Sequence, residues 1–385
     1  MPASDPAADA DVLVIGGGVV GMCLAWGLAQ HALQVAVLDE GDFAFRASRG
    51  NFGLVWVQAK GVGLPRYAEW SRDAAALWPS FARQLTEATG IDLGLRQPGG
   101  FCLCHSADEL ERRYAVLAAL QAAVRGDYPF EMLDQAALRD RLPGVGPAVA
   151  GASFTPMDGH VNPLRLLRAL HQACADRGVR LHNGVRVERL DPGRQGFTAT
   201  DAATGRRFRG RRLVLAAGLG IAGLAGQVGL HAPVVPNRGQ VLVTERLQPF
   251  LHHPTNKLRQ TDEGTVQIGD TVEDVGFDDG LTPDALQFMA ARAVRSFPRL
   301  ADVRMVRAWG ALRVMSPDGF PIYQESAQWP GAYVVTCHSG VTLAAAHAGR
   351  IAPWIAGSAP LPEGLQALTG ERFRQAGRHS MYVNG

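Results

Sequence analysis

The chain has 385 residues, with 38 basic and 36 acidic side chains and a formal net charge of +2 with histidines neutral, so neither a basic arm for nucleic acid nor an acidic tail is present. At 47% hydrophobic and 19% charged residues it is no disordered polymer, and its length predicts two domains or one domain of interleaved halves. Forty-five glycines exceed the usual share of about 7%, so many tight turns or close backbone approaches are required.

The opening run MPASDPAADAD is acidic and lacks a basic n-region, so no secretory signal is expected. Val12–Ile15 predicts a short buried strand, GGGVVG fills Gly16–Gly21, the apolar stretch from Val19 to Gln30 has helical length, and Val35–Leu38 predicts a second strand closed by Asp39. Glycines and the polar residues Gln30, His31 and Gln34 interrupt this region too often for a membrane span. Each piece has a mechanical reason. Gly16 permits the tight turn, Gly18 lets backbone approach a pyrophosphate, and Gly21 lets the helix lie close on the sheet. The amides that open the helix, at Val19 and Val20, hold phosphate charge. Asp39, with Glu40 beside it, follows Gly21 by eighteen residues and suits the ribose hydroxyls of an adenosine. No C-cap glycine follows the helix; a left-handed Ala32 there would cost on the order of 1 kcal/mol.

This fingerprint serves NAD and FAD alike, and later segments discriminate. Ala47–Val55, ASRGNFGLV, is rich in hydroxyl, amide and glycine groups and suits backbone wrapped along a long polar cofactor, with Ser48, Asn51, Gly53 and Leu54 as contacts. SADELERRYAVLAALQAAV predicts a helix capped by Ser106 with Glu109 closing a capping box. Asn162 and Pro163 open another helix, running to about Arg177. Gly184–Asp191 and Arg211–Gly218 predict strands returning to the first sheet, which bring Val187, Ala217 and Gly218 to the cofactor. Gln240–Glu245 and Thr265–Asp270 alternate like strands of an antiparallel sheet. GALRVMSPDGFPI (Gly310–Ile322) and YVVTCHSGVTLAAAHAGRI (Tyr333–Ile351) add a strand and a small-residue helix start. Five cysteines, Cys23, Cys102, Cys104, Cys174 and Cys337, form neither a disulfide framework nor a zinc spacing. A reducing, cytoplasmic compartment without a metal site is expected.

Together these motifs resemble the D-amino-acid oxidase and glycine/sarcosine oxidase family of FAD-dependent amine oxidoreductases over essentially the whole chain. ASRGNFGLVW and TCHSGVTLA are more similar still to the FAD subunits of opine and hydroxyproline dehydrogenases. The resemblance implies an α/β fold, α+β overall. A Rossmann-type FAD-binding domain would use residues 1–85, 146–230 and 310–385, and a substrate domain on an antiparallel sheet would use 86–145 and 231–309. It also implies hydride transfer from an amino acid, imino acid or opine-like secondary amine to flavin N5, followed by hydrolysis of the imine to a 2-oxo acid and an amine.

Arg313 in GALRVMSPDG is the expected substrate-carboxylate grip, since a guanidinium can meet a carboxylate with two parallel bonds; its bland reading is a strand arginine paired with Asp318. Arg259 and Lys257 are weaker candidates for the same pocket. Arg49 resembles a family position near the flavin and its pyrophosphate. Ser339, Gly340, Val341, Thr342 and Leu343 are expected to cover the flavin's pyrimidine edge by backbone, and His338 is the candidate base. Glycine oxidases carry two more residues between the histidine and this glycine, which speaks against glycine as the substrate. Val314, Met315 and Ser316 stand where the covalent sarcosine oxidases place a cysteine, so FAD is expected to be non-covalent. Two alternatives stay open: a 2-hydroxy acid oxidoreductase that needs His338 as base, and an FAD-carrying subunit that needs partner electron-transfer subunits.

Overall fold

The computed structural model describes residues 9–41 and 47–375; the first eight residues of the acidic opening run lie outside them. Val12, Leu13, Val14 and Val37 are fully buried and Leu38 nearly so, because both faces of a parallel sheet are covered. The strands Ala10–Ile15 and Val35–Asp39 pair in parallel, and Arg207–Leu215 flanks the first strand on its other side. The sheet runs in the order Ile322–Glu325, Ala332–Thr336, Arg207–Leu215, Ala10–Ile15, Val35–Asp39, Arg180–Asn183. Val187–Gly193 returns to this sheet as expected, joining it through Gly196–Asp201 as an antiparallel branch.

The helix Val19–Ala29 is buried along almost its whole length. It is sandwiched between the sheet and a second layer of helices that includes Pro163–Asp176 and Ala352–Ala356. Asn162 caps the former by accepting from the amides of Leu164 and Arg165. Ala32 is left-handed, with φ of 56°. Ser106 caps the helix Ala107–Ala123 by accepting from Glu109 N. Glu109 reaches back to the amide of His105, one residue before the cap, instead of to that of Ser106.

A second sheet is wholly antiparallel: Leu258–Gln260, Thr265–Ile268, Val235–Arg246, Met305–Met315. Met305–Met315 crosses residue 310 and pairs along Val235–Arg246 with Asn237 opposite Arg313. A smaller antiparallel sheet, Gly100–Cys104, Gly151–Thr155 and Glu131–Asp134, shares a hydrophobic core with it through Phe101, Phe154, Leu258 and Phe297. Two cavities open where these layers meet the carboxyl ends of the parallel strands, the place where open α/β sheets take ligands.

Candidate active site

The larger cavity, about 1080 Å³, lies over the first turn. Gly16 adopts φ of +106°, which a side chain would strain, and a Cβ there or at Gly21 would overlap the backbone carbonyl oxygen of Ala216 or Gly16 respectively. Only glycine lets the strand turn and the helix close on it. Gly17 N donates to Asp39 Oδ2 at 2.6 Å, and Asp39 Oδ1 accepts from Gly41 N at 3.0 Å. The carboxylate is thereby held at the cavity wall. Ser48 Oγ accepts from Val19 N at 3.0 Å, tying the loop after residue 46 to the helix start. The wall also includes Gly16, Gly18, Val20, Glu40, Arg49, Asn51, and on the far side Val187, Ala217 and Gly218. A Cβ on Gly18 would stand 2.9 Å from Ser48 Oγ, filling the groove between turn and loop. A turn stripped of side chains, amides at a helix start and a carboxylate at the tip of the second strand together fit the pyrophosphate and ribose of an adenine dinucleotide.

The smaller cavity, about 610 Å³, shares Ala47, Asn51, Val314, Cys337, His338 and Val341 with the larger one, so the two are continuous along the segment that starts at Cys337. Leu54, Ser339 and Thr342 face this smaller space, and Gly340 the larger. Thr342 Oγ1 accepts from Trp56 N at 3.2 Å, and Thr342 O from Trp78 Nε1 at 3.1 Å, which locks the turn in place. Gly21, Gly53 and Leu343 lie behind the walls, where they shape the turns without lining either cavity. Cys337 is a half-buried thiol that desolvation pushes up to about 12, so it stays protonated at neutral pH.

Arg313 and Lys257 line the smaller cavity from the antiparallel sheet, and both pair with Asp270, each at 2.5 Å. Asp318, the partner considered from sequence, is taken instead by Arg372. Burial pushes the Asp270 carboxyl up, but the two cations outweigh it and hold it at about 2. The Arg313 guanidinium is more fully engaged than a free carboxylate grip would be. Nη1 donates to Asn237 Oδ1 and Arg238 O, at 2.9 and 3.0 Å, and Nη2 to Asp270 Oδ2 and Thr271 O, at 2.5 and 2.8 Å. Since a guanidinium has five N–H groups, only the Nε–H remains without a partner among the described residues. The fork is seated against Gly239, where a Cβ would occupy the space of the guanidinium.

Arg259 is elsewhere. It is 2% exposed, donates from Nε to Phe52 O and meets His160 Nδ1 at 3.4 Å, and it lines neither cavity. A strand of alternating faces carries Lys257 and Arg259 on the same side only while it is flat; the turn at Thr255–Leu258 sends them apart. His338 touches both cavities, and burial, with Lys60 and Arg313 adding to it, pushes its imidazole down to about 3. The ring is neutral throughout the physiological range.

Sequence reasoning passed over Lys60, Asp270, Gly239 and Tyr67. Lys60 donates to Ser339 Oγ, which also accepts from Tyr67 OH at 3.0 Å, and Lys60 faces the smaller cavity. One signal was available: of 38 basic residues only Lys60 and Lys257 are lysines, and both line this one cavity. Among the described residues no group of His, Cys, Asp and Glu could hold a metal ion, and no helix is long and apolar enough to cross a membrane.

The sequence matches the family described as FAD dependent oxidoreductase (DAO) over residues 11–354. It is 43% identical to a subunit of the opine oxidase of Agrobacterium tumefaciens (strain Ach5), over 95% of this chain and 98% of that one. It is 30% identical to the HcnC subunit of the hydrogen cyanide synthase of Pseudomonas protegens, over 81% and 84% of the two chains. The crystal structure of glycine oxidase from Geobacillus kaustophilus superimposes with a TM-score of 0.82 at 25% identity, covering 97% of this chain and 99% of that one.

Proposed function

The chain belongs to the family of FAD-dependent oxidoreductases, and on that premise we propose that it oxidises an N-substituted amino acid of the opine type, yielding an imine that hydrolyses to a 2-oxo acid and an amine. The observation that carries this reading is a cavity that is cationic on balance and continuous with the dinucleotide groove. The 43% identity to one chain of an opine oxidase supports the amine class. FAD, when bound, supplies the hydride acceptor; the protein supplies position and field. In this reading Gly16, Gly18, Val19 and Val20 hold the pyrophosphate, Asp39 and Glu40 the ribose, and Ser48, Arg49, Asn51, Val187, Ala217 and Gly218 the rest of the groove, all without a covalent bond. In this reading residues 1–85, 146–230 and 310–385 are the cofactor part and 86–145 with 231–309 the substrate part, except that Gly151–Thr155 and the whole of Met305–Met315 go with the antiparallel sheets into which they pair.

Arg313 and Lys257 draw the substrate carboxylate to the antiparallel sheet by charge, with Asp270 holding both cations in place. Phe52, Trp56 and Phe320 on the cavity wall exclude water from the α-carbon, which strengthens each charged contact. The α-carbon gives up its hydride most readily when the nitrogen beside it is a free amine, and a neutral His338 adds no positive charge to oppose iminium formation. The reading is tested by anaerobic titration of the purified yellow protein. A secondary amine with an α-carboxylate bleaches the FAD band, whereas bleaching by 2-hydroxy acids alone would overturn it.

Two residue tests follow. Asp39→Ala removes the acceptor of the buried Gly17 amide. A charge-assisted hydrogen bond of about 1.5–3 kcal/mol makes FAD retention fall by about tenfold or more, read by the flavin-to-protein absorbance ratio after gel filtration. His338→Gln changes the bleaching rate by less than about tenfold. Since the imidazole titrates near 3, falling pH does not charge it between 8 and 5, and the variant's pH profile in that window matches the parent's. Loss of several orders of magnitude would restore the hydroxy-acid reading, in which this ring must take a proton.

Two relatives are named as subunits of larger enzymes, which supports a partner protein that accepts electrons from this chain. Five free thiols suit a reducing compartment such as the cytoplasm.

A further inference from the structure

The smaller cavity holds three cationic side chains, Lys60, Lys257 and Arg313, and two carboxylates, Asp270 and Asp318. Asp318 is neutralised by Arg372, outside the cavity, at 2.7 Å. Asp270 answers one charge of the Lys257–Arg313 pair. Two positive charges are left over, and they sit on different elements: one on the antiparallel sheet, the other at Lys60 in the segment after Leu54–Val55. Lys60 has no carboxylate within 4 Å among the described residues, and its ammonium bonds only to the neutral Ser339 hydroxyl.

The backbone that presents Lys60 is built with care. The amides of Val57 and Gln58 both donate to Asp158 Oδ1, at 2.5 and 3.4 Å, and Gln58 Nε2 donates to Oδ2 at 2.8 Å. Ala59, the residue before Lys60, is left-handed, with φ of 59°. A strained non-glycine residue persists only where its surroundings enforce it, and such strain gathers at ligand sites. In a chain with a single other lysine, this one places a compact point charge on the cavity wall.

We infer that Lys60 receives the second carboxylate that an opine-type secondary amine carries, and that this side chain sets the cavity's preference for two carboxylate arms around a central nitrogen. The first arm goes to Arg313 and Lys257, and the second to Lys60, Ser339 and Tyr67. This rests on the amine reading above and deepens it, since a simple amino acid would leave one half-buried cation without a counter-ion. Burial pushes the Lys60 ammonium down to about 8, so it is still mostly charged at pH 7 and gains from an arriving anion.

The test measures binding without turnover. Calorimetric titration of the FAD-loaded enzyme at pH 7 compares thiodiacetate, which has two carboxylates around a sulfur and no amine to oxidise, with (methylthio)acetate, which has one. Thiodiacetate binds about 10- to 100-fold more tightly, the worth of one charge-assisted hydrogen bond. Lys60→Met removes that preference and leaves (methylthio)acetate within about threefold, and Lys60→Arg restores part of it. Equal affinity of the two probes for the parent enzyme, which needs no variant, overturns the inference. So does a Lys60→Met variant that weakens both probes alike, or one that shifts the FAD potential while keeping the preference, which would give Lys60 to the cofactor. Efficient bleaching by monocarboxylate amino acids without a dicarboxylate preference would sink this inference alone. Absence of bleaching by any amine would sink the functional reading itself.

Discussion

Arg313→Met lowers kcat/KM for a carboxylate-bearing amine by about 10²–10³, because truncating one partner of a buried charged contact costs roughly 3–4 kcal/mol and each 1.4 kcal/mol is tenfold. FAD content changes little, while the melting temperature falls by a few degrees as Asn237, Arg238, Asp270 and Thr271 lose their common donor. The groove for the dinucleotide does not include Arg313, and Asp270 keeps Lys257 as its partner at 2.5 Å. The loss falls on KM and on the reductive step together, since a substrate that is not anchored also presents its α-carbon poorly. Gly239→Ala produces a milder version of the same defect: a Cβ there takes the space of the guanidinium and moves the fork while leaving its charge. Stopped-flow bleaching at several substrate concentrations separates the two. Unchanged saturation behaviour in Arg313→Met would remove this residue from the substrate site.

Gly21→Val abolishes FAD binding and unfolds the dinucleotide groove. The new Cβ would overlap the Gly16 carbonyl oxygen, and since Cβ is fixed by its own backbone and the oxygen is a backbone atom, no rotamer relieves it. Either the helix Val19–Ala29 moves off the sheet or the turn at Gly16 opens, and both are packed in the same buried cluster as Val12, Val14 and Val37. Overpacking of a dense core costs about 1–3 kcal/mol and occasionally more; this position belongs at the upper end, against a total stability of about 5–15 kcal/mol. A colourless protein with a melting temperature lower by many degrees is the expected result. Gly349→Ala is the control, because a Cβ there meets nothing within 4 Å. Its melting temperature stays level or rises slightly, since alanine restricts the unfolded chain. A yellow Gly21→Val protein of normal stability would contradict the close packing of helix on sheet.

The dinucleotide half of the molecule was legible in the sequence because its signals are local. Strand, glycine turn, helix and acid lie within about thirty residues, and each glycine answers a backbone requirement of its own neighbours. Asp39 bonding Gly17 N and the left-handed Ala32 follow from that short stretch alone. Caps at Ser106 and Asn162 were readable for the same reason: a side chain satisfies amides two or three residues away. Two strands of the antiparallel sheet, Val235–Arg246 and Thr265–Ile268, were readable from alternation, whereas the membership of Leu258–Gln260 and Met305–Met315 was not. Nor was the register, because pairing Asn237 with Arg313 joins residues far apart in the chain.

The substrate side was decided by tertiary structure. Sequence grouped Lys257 with Arg259 by adjacency, yet a turn sends one into the cavity and buries the other against Phe52. It offered Asp318 as the partner of Arg313, while the fold supplies Asp270 and gives Asp318 to Arg372. Lys60 comes from a loop that no motif marks, and it reaches Ser339, 279 residues away. Local backbone conformation is set by nearest neighbours, so a cofactor cradle made of backbone can be read along the chain. A field made by side chains on separate elements depends on which charges the fold brings within a few ångströms, and how strongly they act depends on the water it removes between them.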